Sequence, residues 1–463
     1  MLTFLIENSV QDEEAVSVTR ESISHLKASG FDLRIEEICL KEEDHLEDHL
    51  GPEDTYLCFV RAGDRVALKA NKLKKLLGEG NYRVIKLGLQ DPEFPRVRIL
   101  DKTKDSDDFI ERYMLPDSLF GCILHKEILL GAGGCTEYQL LYQLLRGLEE
   151  KKDIVYVPEH VYRSDRPGNN SARCTDAMGK AWYLDLWKYI LMPYLERLTN
   201  ETIHLPAHVQ MGLLKLTWSR FLANRNNSDK HAIDAQYPQY KQNIARLVRL
   251  LDDKVILSGS LYFGYFLLRL KYGNDFGITY EKGTSEPDLD GTTYPDVIAR
   301  VKQSGVMLHR FCTMRCNLDL MEYDEQTDIL TVEFQLENFM DMDQFQVCAV
   351  VDGKQLEVEE TYRYTHVKFF GESFIRAKTY RIRIPMAQHF GGKRMELCFG
   401  LKYQGEFFRL RIMSKHYCAR IASALPRSYW LFGGYMVYLV NGKWVIAFEK
   451  RGFNAFKKEL AFF

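Results

Sequence analysis

No stretch of about 18 consecutive apolar residues occurs in the sequence, so no helix able to cross a bilayer is expected. The longest candidate, Val255 to Leu270, is broken by Ser258, Gly259, Ser260 and Gly264 and carries Arg269 near its end. It reads as a strand or a helix inside a core. An excess of one charge is also missing. Lys and Arg number 62 against 64 Asp and Glu, a formal net charge of -2. No global field draws in nucleic acid or an anionic membrane. The basic cluster from Lys72 to Lys75 is short and fits a solvated helix face. A disulfide framework is lacking too. Ten cysteines are spread over the whole chain, and the closest pair, Cys312 and Cys316, has no second Cys/His pair nearby to complete a zinc site. The N-terminus, MLTFLIENSVQDEE, reaches acids within a few residues and shows no secretory signal. Free thiols in a reducing cytoplasm are therefore expected.

Several catalytic signatures are absent. There is no Gly-x-Gly-x-x-Gly and no Walker loop; Gly131-Ala132-Gly133-Gly134 lacks the Lys-Ser/Thr that would follow. No Gly-x-Ser-x-Gly elbow and no His-Glu-x-x-His occur. No repeat of fixed period and no low-complexity segment is present.

What is there is a folded chain of 463 residues, 46% hydrophobic and 27% charged. That length predicts about two to four domains. Aromatic residues reach 13%, which suits filled cores and surfaces that stack on sugar rings. The first 165 or so residues alternate between two kinds of segment. Leu2 to Ile6, Ile35 to Leu40, Tyr56 to Val60, Tyr82 to Leu87 and Ile154 to Val157 read as buried strands. Helices are expected from about Asp12 and over Tyr138 to Leu148. Alternating strand and helix argues for an α/β layer fold with a mostly parallel sheet. Ligands of such sheets gather at the carboxyl ends of the strands, where Glu7, Glu42 and Asp64 would lie.

From about Thr175 the apolar spacing turns helical: Trp187, Ile190, Leu191, Tyr194, Leu195 and Leu198 share one face. Val209 to Phe221 and Asn243 to Leu251 continue that pattern. Lys282 to Pro295 is rich in Gly, Asp, Thr and Pro and reads as a linker. The last third alternates with period two, as in Leu330, Val332, Phe334 and Leu336. Asp352-Gly353 and Asn441-Gly442 sit between strand-like runs as hairpin signals. Together these predict a β-sandwich. The expected divisions are residues 1–172, a helical region at 173–281, a linker at 282–300 and a β-rich domain at 301–463.

The order of features in the first 170 or so residues carries a resemblance. Leu2-Thr3-Phe4-Leu5-Ile6 leads through Asn8 to Asp12-Glu13-Glu14. After the second strand comes Tyr56 to Val66, YLCFVRAGDRV. Then come Phe120 to Ile128, Gly133-Gly134-Cys135-Thr136-Glu137, and Val155-Tyr156-Val157-Pro158-Glu159-His160-Val161-Tyr162-Arg163. This resembles the GT-A domain of inverting family-2 glycosyltransferases. The helical part, with Asp185-Leu186-Trp187 and Leu205-Pro206, and the β-rich part resemble the middle of enzymes that build teichoic-acid-like or capsular polymers. The resemblance implies a multidomain α/β plus all-β protein: a Rossmann-type GT-A-like domain, a helical middle and a C-terminal β-sandwich-like domain.

Its implied activity is transfer of a sugar, with inversion, from a nucleotide-sugar donor to a cell-surface polysaccharide or teichoic-acid-like acceptor. Asp64 matches the last acid of the family's metal motif and would hold Mg²⁺ or Mn²⁺. Ala62 and Gly63 stand where the family has the rest of that motif. Glu137 matches the second acid of the family's Glu-Asp and would be the catalytic base, with Thr136 in place of the first. Asn8, Glu42 and Arg163 would contact the donor. Each has a plain structural alternative: a strand-end turn for Asp64, a helix cap for Thr136-Glu137, a solvated loop for Glu42, a surface ion pair for Arg163. The three departures keep a second function open: a weakened or inactive GT-A-fold protein serving as a glycan-binding or assembly module. The implied setting is the cytoplasm, with peripheral association at the inner face of the membrane, and homo-oligomers through the β-rich domain. Nucleic acid is not an expected partner.

Overall fold

The computed structural model describes residues 1–8, 11–40, 45–79, 82–90, 118–130, 134–150, 154–163, 180–201, 203–223, 235–258, 261–285, 293–337, 342–369, 372–390, 394–414, 429–432, 434–440 and 445–450. The chain divides into two compact units, Met1–Gly273 and Asn274–Phe463. The helices expected as a separate region therefore belong with the first sheet. Among the described residues no helix is long and apolar enough to cross a membrane.

Unit 1 is built on seven strands: β1 Leu2–Glu7, β2 Leu33–Ile38, β3 Tyr56–Arg61, β4 Arg65–Val66, β5 Val84–Gln90, β6 Cys122–His125 and β7 Ile154–Arg163. Their order across the sheet is β2-β1-β3-β6-β5-β7-β4. Pairings β1–β2, β1–β3 and β5–β7 are parallel. Strand β6 runs antiparallel to both β3 and β5, and β4 is antiparallel to β7. The sheet is thus mixed, where the alternation of elements predicted a mostly parallel one. Consecutive residues Phe4, Leu5 and Ile6 are all fully buried, as expected of a strand covered on both faces.

Helix α1, Glu13–Ala28, begins where Asp12 accepts the Ala15 N–H, with Glu13 and Glu14 in its first turn and His25 and Lys27 in its last. Both charge placements favour the helix dipole. Val16, Ile23 and Leu26 pack with Phe4 and Ile6 in the same core. Helix α2 is Ala70–Glu79, and α3, Glu137–Glu150, precedes β7. Next come α4 Lys180–Leu186, a π turn at Trp187–Leu191, α5 Met192–Asn200, α6 Ala207–Ala223 and α7 Tyr237–Arg249. The segment from Val255 to Leu270 falls in two helices on either side of residues 258–260: α8 is Asp253–Leu257 and α9 is Leu261–Tyr272.

Unit 2 opens with an antiparallel sheet of β8 Ile278–Thr284, β9 Pro295–Val301 and β10 Met307–Arg310, in the order β10-β9-β8. Strands thus occupy both ends of the stretch expected as a linker, and residues 286–292 fall outside the described chain. Its turn-rich composition is that of a hairpin connection: the Ser285 N–H donates to the Tyr294 carbonyl at 2.7 Å. Val297, Ala299 and Val301 bury one face of β9.

Two larger sheets follow. One orders as β15-β16-β12-β11-β19, with β11 Arg315–Asp324, β12 Ile329–Glu337, β15 Glu359–Phe369, β16 Glu372–Pro385 and β19 Arg411–Ser414. The other runs β14-β13-β17-β22-β21-β20, with β18 beside β17. Its strands are β13 Gln346–Val351, β14 Lys354–Leu356, β17 Arg394–Tyr403, β18 Glu406–Arg409, β20 Tyr429–Phe432, β21 Tyr435–Val440 and β22 Val445–Lys450. Leu330, Val332, Phe334 and Leu336 bury the inner face of β12. The Phe334 ring lies 4.2 Å from that of Phe399 on the facing sheet, so the two sheets share a core as the period-two alternation predicts.

Asp352 and Gly353, both at positive φ, turn β13 into β14, the geometry that favours Asp-Gly. Asn441-Gly442 lies outside the described residues, but the strands on either side, β21 and β22, pair antiparallel up to Val440 and Val445. Burial pushes the His309 imidazole down to about 4, against the opposing pull of Asp296. The ring is therefore neutral in the folded state, while the unfolded chain takes up a proton below its ordinary value of 6.5. Stability of unit 2 should be fully present above about pH 6.5 and fall between there and about pH 4. Urea midpoints measured across that window should drop more steeply for wild type than for His309→Gln.

Candidate functional site

Strand β3 ends in Arg61, and the chain turns at once. The Ala62 N–H donates to the Glu7 carbonyl at 2.9 Å, and the Asp64 N–H to the Arg61 carbonyl at 3.0 Å. Gly63 adopts φ 94°, a conformation that strains any residue with a Cβ. Its N–H donates to the Ala15 carbonyl at 2.9 Å and to Thr19 Oγ1 at 2.8 Å. The Thr19 hydroxyl in turn donates to the Asp64 carbonyl at 2.8 Å. The small residues at this strand end thus let the turn lie against α1.

The same turn sends Asp64 inward. Its carboxylate is fully buried and accepts the Tyr162 hydroxyl at Oδ2, at 2.6 Å. Tyr162, near the end of β7, is itself buried, and its oxygen receives the Arg61 N–H at 3.4 Å. Burial and then the neighbouring Asp64 charge push the Tyr162 phenol well above its ordinary range, so it stays a donor. Gly121, at φ 73°, makes room for this ring: a Cβ there would stand 3.2 Å from Tyr162 Cγ.

The Arg61 side chain leaves the strand in another direction. Its guanidinium lies 4.3 Å over the Phe120 ring, and Nη2 reaches Glu137 Oε2 at 3.5 Å. Ser118 Oγ donates to the other oxygen, Oε1, at 2.7 Å. The Arg61 and Glu137 side chains are 22% and 25% exposed, so this pair reaches solvent and Asp64 does not. Burial works against the Arg61 charge, but Glu137, Tyr162, Asp64 and Glu7 outweigh it and raise its pKa further.

Glu137 opens α3 without capping it. The cap is a reciprocal pair: the Gln139 N–H donates to Thr136 Oγ1 at 3.3 Å, and Thr136 N–H donates to Gln139 Oε1 at 3.1 Å. This is the Ser/Thr-x-x-Glu/Gln box, and it leaves the Glu137 carboxylate for Arg61 and Ser118. Sequence reasoning paired Thr136 with Glu137 and overlooked Gln139, although the spacing of three was there to see. It overlooked Arg61 as well, whose signal was a basic residue ending an otherwise apolar strand three positions before the singled-out acid.

The remaining expected residues divide. Asn8 is buried and spends its side chain locally: Nδ2 donates to Glu37 at 2.7 Å and Oδ1 accepts the Asp12 N–H at 2.8 Å. One end of its amide thus ties the end of β1 to β2 and the other holds the start of α1. Arg163 ends β7 in an exposed position beside Tyr162, and strand alternation points the two to opposite faces. Glu42 lies outside the described residues. A groove of about 420 Å³, lined by Met1, Phe31, Asp32, Tyr56, Lys74 and Leu77 among others, opens at the other end of β1 and β3 from this cluster.

A divalent cation does not fit the described residues at Asp64. That carboxylate is closed off from solvent with one oxygen taken by Tyr162, and no group of three or more His, Cys, Asp or Glu able to hold a metal occurs among the described residues. The expected metal ligand is instead an internal acceptor, because the Gly63 turn directs it into the core.

No protein-family model matches the sequence, and no curated protein matches it. Among solved structures the chain is similar to the crystal structure of S. aureus TarS residues 1–349 in complex with UDP, with 12% identity over 66% of this chain and 98% of that one, at a TM-score of 0.34. A likeness of that size carries no residue correspondence.

Tyr162→Phe removes the hydroxyl that donates to the buried Asp64. It should cost about 1–3 kcal/mol in urea unfolding, and Asp64→Asn should cost less in that background than alone, as expected of two groups in one network.

Proposed function

We propose that unit 1 is the donor-binding domain of an inverting glycosyltransferase acting on a glycan or teichoic-acid-like acceptor, with Glu137 as its base. The observation that carries this is the placement of Glu137. Its carboxylate stands at the carboxyl ends of β1 and β3, partly open to solvent, oriented by Ser118 and Arg61. Ligands of α/β sheets collect at that edge.

The chemistry is a single displacement. The acceptor hydroxyl gives its proton to Glu137 as its oxygen bonds to the sugar's anomeric carbon. The bond from that carbon to the diphosphate oxygen breaks on the opposite face, and the nucleoside diphosphate leaves with the electron pair. A carboxylate base is suited to this step when it lies within hydrogen-bond reach of the hydroxyl. Ser118 and Arg61 fix which way the carboxylate points, and Arg61 is the fixed positive charge at the same edge. The scheme holds no cation at Asp64; the role of that residue is to keep Tyr162, and through it the end of β3, in place.

A second reading is favoured by the same closed Asp64. A protein that keeps a nucleotide-binding architecture but has lost its metal acid suits a glycan-binding or assembly module. Calorimetry with a panel of UDP- and CDP-linked sugars, each with and without Mn²⁺, separates the two. The transferase reading expects heat from at least one donor, and silence across the panel leaves the second reading standing. With a donor in hand, Glu137→Gln should abolish transfer while leaving donor binding and the unfolding midpoint near wild type. Undiminished turnover by that variant removes Glu137 from the base role.

A further inference from the structure

Strand β15 is an edge of its five-stranded sheet, and its pairing with β16 is irregular at one place. Glu360 stands opposite Tyr380, and the next paired residue, Tyr364, stands opposite Lys378. Strand β15 therefore spends four steps where β16 spends two. In that bulge Tyr362 takes φ 57° and leaves its side chain outside, 81% exposed. Gly, Asn or Asp would occupy such a left-handed position at lower cost. A bulky aromatic there is an outlier in backbone and in exposure at once, the combination that marks a functional constraint. Bulges also serve to re-aim a side chain.

The surroundings of this ring indicate what it meets. Tyr364, two residues on, is a second aromatic, with its hydroxyl donating to Glu360 at 2.9 Å. Lys378 closes an ion pair on the same carboxylate at 3.4 Å. On the other side Arg363 pairs with Asp319 at 3.0 Å and also with Glu333. Charges along this edge are paired off, so the patch offers fixed donors and acceptors around aromatic faces without a field of either sign. A polyanion finds no surplus of cations here. A neutral saccharide fits: its C–H face lies on a tyrosine ring while its hydroxyls bond to the paired side chains.

We propose that the Tyr362 bulge of unit 2 is a binding site for neutral polysaccharide, with the Tyr362 ring as its stacking platform. The site is independent of whether unit 1 transfers sugar. The alternative for the bulge is protection of an open sheet edge against pairing with another chain, which requires no aromatic.

Affinity electrophoresis of the full chain tests the proposal, in native gels cast with soluble starch, hydroxyethylcellulose or galactomannan, and with heparin as the polyanion. At least one neutral polymer should retard wild type, and heparin should not. Tyr362→Ala should weaken that retardation by about tenfold or more, and Tyr362→Trp should retain it. Tyr362→Gly should lose binding while its thermal midpoint stays level or rises, since glycine relieves the left-handed strain; that variant separates a lost platform from a lost fold. Wild type passing unretarded through all three neutral gels overturns the proposal, as does retardation that Tyr362→Ala leaves intact. Retardation by heparin alone assigns the edge to anions instead. A wild-type dimer in sedimentation that Tyr362→Ala dissociates assigns it to a second copy of the chain.

Discussion

One buried hydrogen bond organises the working edge of unit 1. Tyr162 reaches from β7 to the carboxylate that ends the β3 turn, and these strands are not neighbours in the sheet. A phenol that stays protonated and a carboxylate shut away from water make a bond that costs about 1–3 kcal/mol to leave unmade. That bond adds to the β4–β7 pairing that holds the turn against the far strand. The turn in turn sets where β3 ends and where the Arg61 guanidinium emerges. Arg61, Ser118 and Glu137 lie just beyond that internal contact.

The division of labour between the two acids follows from it. Asp64 and Glu137 are both coupled to Arg61, one from inside and one from outside. The inner acid gives rigidity and the outer one is left with partial access to water. A single arginine stands between them, and both acids favour its charged form. Among the described residues this edge leaves the Glu137 carboxylate partly open to solvent and closes the Asp64 carboxylate away from it.

The elements were legible in the sequence to the extent that one physical signal controlled each of them. Apolar runs bounded by polar turns gave the starts of β1, β2, β3, β5 and β7 to within a few residues, because burial on both faces leaves a nearly continuous pattern, but they did not mark β4 or β6, and β7 runs six residues past Val157. That pattern carries no direction, so the antiparallel insertion of β6 was invisible. Period-two alternation gave the facing sheets of unit 2 because each has one wet face. Gly, Asp, Thr and Pro between Lys282 and Pro295 announced a turn, but composition does not distinguish a hairpin loop from a linker. At the site the acids were found by type, while their surroundings were not. Whether Asp64 faces water or Tyr162 depends on the left-handed Gly63 turn and on a residue 98 positions away. Whether Glu137 caps a helix depends on competition from Gln139.

Strand β6 adds a mechanical property to this architecture. Among the described strands it alone joins the parallel group β2-β1-β3 to the parallel pair β5-β7, and it is only four residues long. A short seam between two larger plates is where a sheet breathes first, since few backbone bonds must open together. Ser118 and Phe120 lie just before that seam, so its opening would draw the hydroxyl from Glu137 and the ring from beneath Arg61. Amide exchange at Cys122 to Leu124 faster than at Phe4 to Ile6 would be the signature of such a parting line, which separates the two parallel groups of the sheet.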